Sequence, residues 1–251
     1  MYHRSNDTPP RSRPRRWTYV VTSAILGTIV WGTVGLSFGC DSDNSTDPDI
    51  VEETYISSSE TTTNYNEAIR DGTNKLLNLG DYQGAIKDFD EAIRLEPQNA
   101  VAYFNRGTAY LHQGIEDLAS KKFEHAIEAF IEVVADYDEA IRLDPEYADA
   151  YGSRGVAFVY LEKYERAIED YTEAIRFEPR AARAYEGRGY AYAYLEKYER
   201  AIEDYTEAIR IEPQTAELYA ARAVLHHELG APQQSMQDWE TACELDKQYC
   251  N

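Results

Sequence analysis

Enzymatic and metal chemistry need histidines, cysteines or carboxylates that converge, and this sequence keeps them apart. The one histidine pair, in His226-His227-Glu228, is made of adjacent residues. On a helix such residues point about 100° apart, so they share no face and make no zinc site. Cys243 and Cys250 are seven apart. That is roughly 10 Å of rise on a continuing helix, out of reach of a disulfide unless the chain end unwinds. No CxxC pattern, Ser-His-Asp set, P-loop, GxGxxG or HExxH occurs. Carboxylates are abundant but alternate with Lys and Arg, as in DEAIRLE and EKYERAIED. That alternation is solvated helix surface rather than a paired acid and base. The sequence implies no enzyme, no cofactor and no metal. Recognition is the chemistry that remains.

Charge narrows what can be recognised. The 45 acidic residues outnumber the 25 basic ones, for a net charge of −20. Residues 1–40 carry a local +4, through Arg4, Arg11, Arg13, Arg15 and Arg16 against Asp7, so the remainder stands at −24. Such a body cannot neutralise a run of phosphates, which excludes nucleic acid. Basic and apolar peptides or cationic protein surfaces are the better match, weakening with salt.

The elements that position any binding residue come from repetition. Residues 160–176, YLEKYERAIEDYTEAIR, recur letter for letter at 194–210, an offset of 34. Pro97, Pro145, Pro179 and Pro213 follow AIRLEP, AIRLDP, AIRFEP and AIRIEP segments and end a helix in each unit. Units then fall at 66–99, 100–147, 148–181, 182–215 and 216–249, each with two blocks of helical apolar spacing. Gly155, Gly189, Ala167, Ala174, Ala201 and Ala208 mark close contacts, and Tyr151, Tyr171, Tyr185 and Tyr205 fill wide gaps. An arginine recurs at Arg106, Arg154, Arg188 and Arg222, facing many carboxylates, and is expected to pair with them and set register between units.

On these residues the chain resembles the tetratricopeptide repeat family. The third and fourth units carry the Gly-x2-aromatic, Ala-x3-aromatic-x2-Ala and terminal Pro signature, and the resemblance covers residues 64–249. It implies an all-α, right-handed superhelical solenoid of five helix-turn-helix repeats. Unit one departs with Thr73 in place of the family glycine and is expected to open on a capping box, Asn64-x-x-Glu67. Unit five departs at His226, Ser235 and Lys247, with no solvating helix after it. Trp239, Ala242 and Leu245 should then be partly exposed, or that end should dock, which would permit self-association through the C-terminal repeat.

Unit two spans 48 residues, 14 more than its neighbours. Two heptads lengthen a helix without turning its apolar face far. One expectation is a second helix over about residues 121–143, projecting with a seam of Phe123, Ile127, Phe130 and Val134 that docks a partner helix. The other is that residues 115–122 lengthen the first helix and cover the seam, or form a loop that folds over it.

The resemblance also implies a concave groove lined by first-helix positions. A two-carboxylate clamp known in the family is matched by type at Arg70, Asn74 and Asn105, but Asp149 and Ser153 replace its last two basic residues. The clamp is broken. In units three and four the groove positions are Gly152, Val156, Tyr160, Glu186, Tyr190 and Tyr194. That is an aromatic surface with an acidic rim, suited to a peptide or helix, unless these tyrosines serve packing alone.

Ahead of the repeats, residues 1–16 form a basic tail, and residues 17–39 contain no charge and reach the length of a membrane span. Three readings fit: a permanent anchor, a lipoprotein signal ending at Gly39-Cys40 with Cys40 lipidated, or a cleaved secretory signal. Leu36, Ser37 and Phe38 depart from the usual lipobox. All three place the repeats on the non-cytoplasmic side, with any retained N-terminus in the cytoplasm. Residues 40–63 are rich in Ser, Thr and Asp and read as a disordered tether. The expected function is a membrane-tethered, non-catalytic protein-binding scaffold or assembly factor. The alternative is a self-associating subunit of an envelope complex.

Overall fold

The computed structural model describes residues 48–250, with side chains from residue 61 onward. The basic tail, the apolar segment 17–39 and Cys40 lie outside the described residues. Among the described residues no helix is long and apolar enough to cross a membrane.

Ten α-helices are described, with no strand among the described residues. They pair as α1 Pro48–Asn74 with α2 Tyr82–Leu95, α3 Ala100–Ala119 with α4 Phe123–Leu143, and α5 Ala148–Tyr160 with α6 Tyr164–Phe177. Two more pairs follow, α7 Ala182–Tyr194 with α8 Tyr198–Ile211, and α9 Ala216–Glu228 with α10 Pro232–Leu245. The sequence expectation of five helical hairpins is met. Inside every pair the turn passes through one left-handed residue: Gly80, Lys121, Glu162, Glu196 and Gly230, with φ between 56° and 70°.

Close approach of the two helices in a pair rests on one recurring contact. A glycine on the first helix lies beneath an aromatic ring of the second: Gly107 under Tyr137, Gly155 under Tyr171, Gly189 under Tyr205. In unit one the residue under Phe89 is Gly72, one place before Thr73. A π-helical turn at Lys75–Leu79 absorbs the extra residue. The missing glycine of unit one is therefore displaced, not lost.

A second recurring contact ties the helices electrostatically. Arg106, Arg154, Arg188 and Arg222 each donate Nε and Nη2 to both oxygens of one aspartate, Asp136, Asp170, Asp204 and Asp238 respectively. Their Nη1 groups reach back to the preceding unit, at Asp90, Asp138, Thr172 and Thr206. Each arginine thus joins three helices, as its spacing in the sequence suggested. In unit one the residue before the displaced glycine is Asp71 rather than arginine, and Lys75 binds Asp88 at 2.6 Å instead.

Unit two adopts the second of the two expectations. Its 14 extra residues divide evenly, lengthening both α3 and α4 by about two turns over their counterparts. One heptad on from Gly107, Gly114 lies beneath Phe130, one heptad before Tyr137. The glycine–aromatic contact is therefore repeated. The buried seam of α4 is Ala126, Phe130, Val133, Tyr137 and Ala140, so Phe130 is core, and Val134 packs partly buried against it. Phe123 and Ile127 stay exposed, joined by Ile131.

Both ends of the array differ from expectation. α1 begins at Pro48, so residues 48–63 are helical rather than a disordered tether, and Asn64 is a mid-helix residue rather than a cap. Proline suits a first helical position, and residues 49–71 contain no further proline or glycine to interrupt propagation from the packed turns after Tyr65. At the other end the helix stops at Leu245 and a 3₁₀ turn, Lys247–Tyr249, doubles back. Cys243 and Cys250 then stand 4.7 Å apart at Cα and form a disulfide. The unwinding that the spacing required does occur. Tyr249 folds against Trp239 and Ala242 is buried, while Trp239 and Leu245 stay partly exposed, as expected, and Leu229 and Met236 are exposed.

Two Gly→Ala substitutions in helix interiors should part company. A Cβ at Gly114 would meet Phe130 at 2.8 Å, whereas at Gly152 its nearest neighbour is Ala174 at 3.9 Å. Gly114→Ala should lower the urea midpoint by the equivalent of about 1–3 kcal/mol. Gly152→Ala should raise it by roughly 0.5–1 kcal/mol.

Candidate functional site

Because each unit is tilted and stacked on the last, the first helices α3, α5 and α7 stand side by side. Their inward residues line one open groove of about 480 Å³. Phe104, Asn105 and Thr108 come from α3, Asp149, Gly152 and Val156 from α5, and Arg183 and Glu186 from α7. Thr73 and Leu76 close one end, while Glu178, Arg180 and Glu212 enter from the connections after the second helices.

Of the residues expected in the groove, Asn105, Gly152, Val156 and Glu186 line it. Five do not. Arg70 is exposed beside Asp71, and Asn74 bonds Asn78 on the surface of unit one. Tyr160 is stacked on Phe130 at 4.8 Å, and Tyr190 is buried with its ring 4.7 Å from Tyr194, which in turn stacks on Tyr164. These tyrosines fill the gaps between helices, so the packing alternative describes them. The clamp-like set is dispersed as well: only Asn105 of its three matching residues reaches the groove. The acidic rim survives: Glu186 is joined by three exposed carboxylates, Asp149, Glu178 and Glu212. The sequence signal for the residues that were missed was their place beside the helix-ending prolines, Glu178 and Arg180 on either side of Pro179 and Glu212 just before Pro213.

The projecting surface of unit two is likewise reduced. Its exposed apolar residues are Phe123, Ile127 and Ile131, each followed by an exposed glutamate, Glu124, Glu128 and Glu132.

Electrostatically the groove centres on Glu186, which is 7 % exposed. Burial pushes its carboxyl up to about 8, Glu212 and Glu217 add to the rise, and Arg183 opposes it. Burial also raises Asp149, again against Arg183. On the convex side the ladder aspartates Asp136, Asp170 and Asp204 are raised by burial too, with their arginines pulling the other way.

A family model described as TPR repeat matches residues 74–114, 155–195 and 189–230. The chain belongs to the tetratricopeptide repeat family. A TPR repeat-containing protein of Methanocaldococcus jannaschii is 37 % identical over 57 residues, 23 % of this chain and 10 % of that protein. The chain thus spans about a tenth of the length of this curated relative. Among solved structures, a MamA crystal structure aligns with TM-score 0.62 and 23 % identity over 75 % of this chain and 93 % of the other. YrrB, described as a TPR protein with an unusual peptide-binding site, aligns with TM-score 0.58 and 18 % identity over 80 % and 92 %. PilF of Pseudomonas aeruginosa aligns with TM-score 0.62 and 16 % identity over 74 % and 78 %. At these identities the likeness is one of fold.

The raised carboxyl of Glu186 has a stability consequence. Its folded value lies above that of an unfolded glutamate, so the native state binds more protons and loses stability as pH rises from about 4.5 to 8. Glu186→Gln should therefore be neutral near pH 4 and stabilising at pH 8–9, by a few kcal/mol at most. Urea unfolding across that range checks it.

Proposed function

We propose that the protein is a non-catalytic scaffold whose groove holds an extended peptide or helix of a protein partner. The observation that supports this most strongly is the open groove across three successive first helices, with buried polar groups facing into it. It is also supported by YrrB, a fold relative whose description includes a peptide-binding site. Attachment to a membrane through residues 17–39, with the repeats on the non-cytoplasmic side, belongs to the same proposal and rests on the sequence.

A photo-crosslinking residue at Gly152, inside the groove, should capture a discrete partner in the native membrane. The same residue at Arg166, on the opposite side of the unit, should not. Adducts of one pattern from both positions, or none from either, would remove the scaffold reading. For attachment, palmitate labelling that disappears in Cys40→Ala supports lipidation, whereas membrane fractionation without label supports a protein anchor. A soluble, unlabelled chain would contradict both.

A second reading, self-association through the last unit, is favoured by exposed Leu229 and Met236. Sedimentation that shows a monomer at high concentration, unchanged by Met236→Asp, would count against it.

A further inference from the structure

We infer that the groove reads its partner through a lysine or arginine side chain seated on the Glu186 carboxylate, with the Asn105 amide holding a backbone carbonyl of the same extended segment. This rests on the peptide-binding reading above and specifies what that peptide must carry.

Asn105 is the first observation. It is 6 % exposed, lines the groove, and its Nδ2 has no hydrogen-bond partner. A buried donor left unmade costs about 1–3 kcal/mol, so a ligand that offers an acceptor there recovers a real loss. One unit on, the equivalent residue is Ser153, whose hydroxyl bonds Tyr137. The ring equivalent to Tyr137 in unit one is Phe89, which has no hydroxyl to offer Asn105. The donor therefore stays available.

Glu186 is the second. No hydrogen bond or ion pair contributes to its state among the described residues, and the groups that face it are mostly acidic or neutral. Arg183 lies on its own helix, Glu212 on the connection after α8, Glu217 on α9, and the hydroxyls of Tyr171 and Tyr205 on α6 and α8. Next to it in the groove, the corresponding residue of unit three is Gly152, whose missing side chain leaves open space. That space would hold the aliphatic stem of a lysine or arginine whose head meets the carboxylate.

Spacing then sets the length of the ligand. Neighbouring helices pack about 8–10 Å apart, and Asn105 and Glu186 are two first helices apart in the stack. The two contacts are thus separated by about 20 Å, or about six residues of extended chain. A segment shorter than this reaches one contact but not both.

Seating a cation also moves a proton. At pH 7 the Glu186 carboxyl retains most of its proton, and pairing with a cation stabilises the ionised form, so binding releases it to solvent. Affinity should therefore rise with pH through about 8 and fall only when lysine itself titrates, near 10.4.

The test is isothermal titration of the full chain with acetylated, amidated octapeptides of Ala and Gln. Each carries one lysine, at position two or position seven, or norleucine in its place. One of the lysine peptides should bind at least tenfold more tightly than its norleucine counterpart. In buffers of different ionisation enthalpy it should release close to one proton at pH 7 and none at pH 9.5. Glu186→Gln should abolish both the lysine preference and the proton release. Asn105→Ala should weaken the lysine and norleucine peptides alike. Equal affinity for lysine and norleucine, or a preference that survives Glu186→Gln, would overturn the assignment. If no octapeptide binds while Gly152 still crosslinks a partner, the cation assignment falls and the scaffold reading stands. If both experiments are negative, both fall.

Discussion

The arginine–aspartate ladder is the interaction on which the rest of the structure depends. A helical repeat array has no sheet register and no single core to fix the position of one unit against the next. Here each arginine grips the aspartate across its own hairpin with two parallel bonds and touches the hairpin before it with a third. The bidentate geometry allows little sliding. Burial raises the aspartates even with a guanidinium in contact, so desolvation offsets much of the Coulomb attraction. The ladder therefore contributes register more than net stability. The glycine-under-aromatic contact supplies the complementary steric half, since it sets how closely the helices of one hairpin approach.

Unit two shows how these two constraints accommodate change. An insertion of two heptads leaves the Arg106–Asp136 pair in place, although the partners are separated by 30 residues rather than the 16 of later units. Dividing the insertion equally lets Gly114 and Phe130 repeat the contact made by Gly107 and Tyr137. A single lengthened helix would have left Phe130 and Val133 in water. The π-turn in unit one solves a smaller mismatch, one residue, in the same spirit. In both places the local helix yields and the contact between helices is kept.

This explains what could be read from the sequence. Period, helix-ending prolines and small-residue positions all report packing between neighbours in the chain, and packing is what repetition encodes. The role of Arg154 was legible because it recurs with its aspartate. The groove was harder, because its walls belong to three units and to the connections between them. Tyr190 and Tyr194 sit at groove-like positions by count but are drawn into ring stacking. Arg180 and Glu212 flank prolines in segments that look like plain turns, yet they reach the groove. The disulfide was visible only as a condition, that the end should unwind. Glu186 was legible as a difference between two otherwise matching repeats, opposite Gly152. Residues that keep the repeat carry the fold, and those that break it are where the groove differs from unit to unit.

The claim that the ladder couples the helices is tested most directly by a double-mutant cycle on Arg154 and Asp170, read by urea denaturation. If the pair acts as described, Arg154→Ala and Asp170→Ala each cost about 3 kcal/mol or more, because each strands a buried charged partner. The double variant should then fall short of the sum by about 2 kcal/mol or more. Single costs below about 1 kcal/mol that simply add would show that the stack is held in register by its apolar contacts alone.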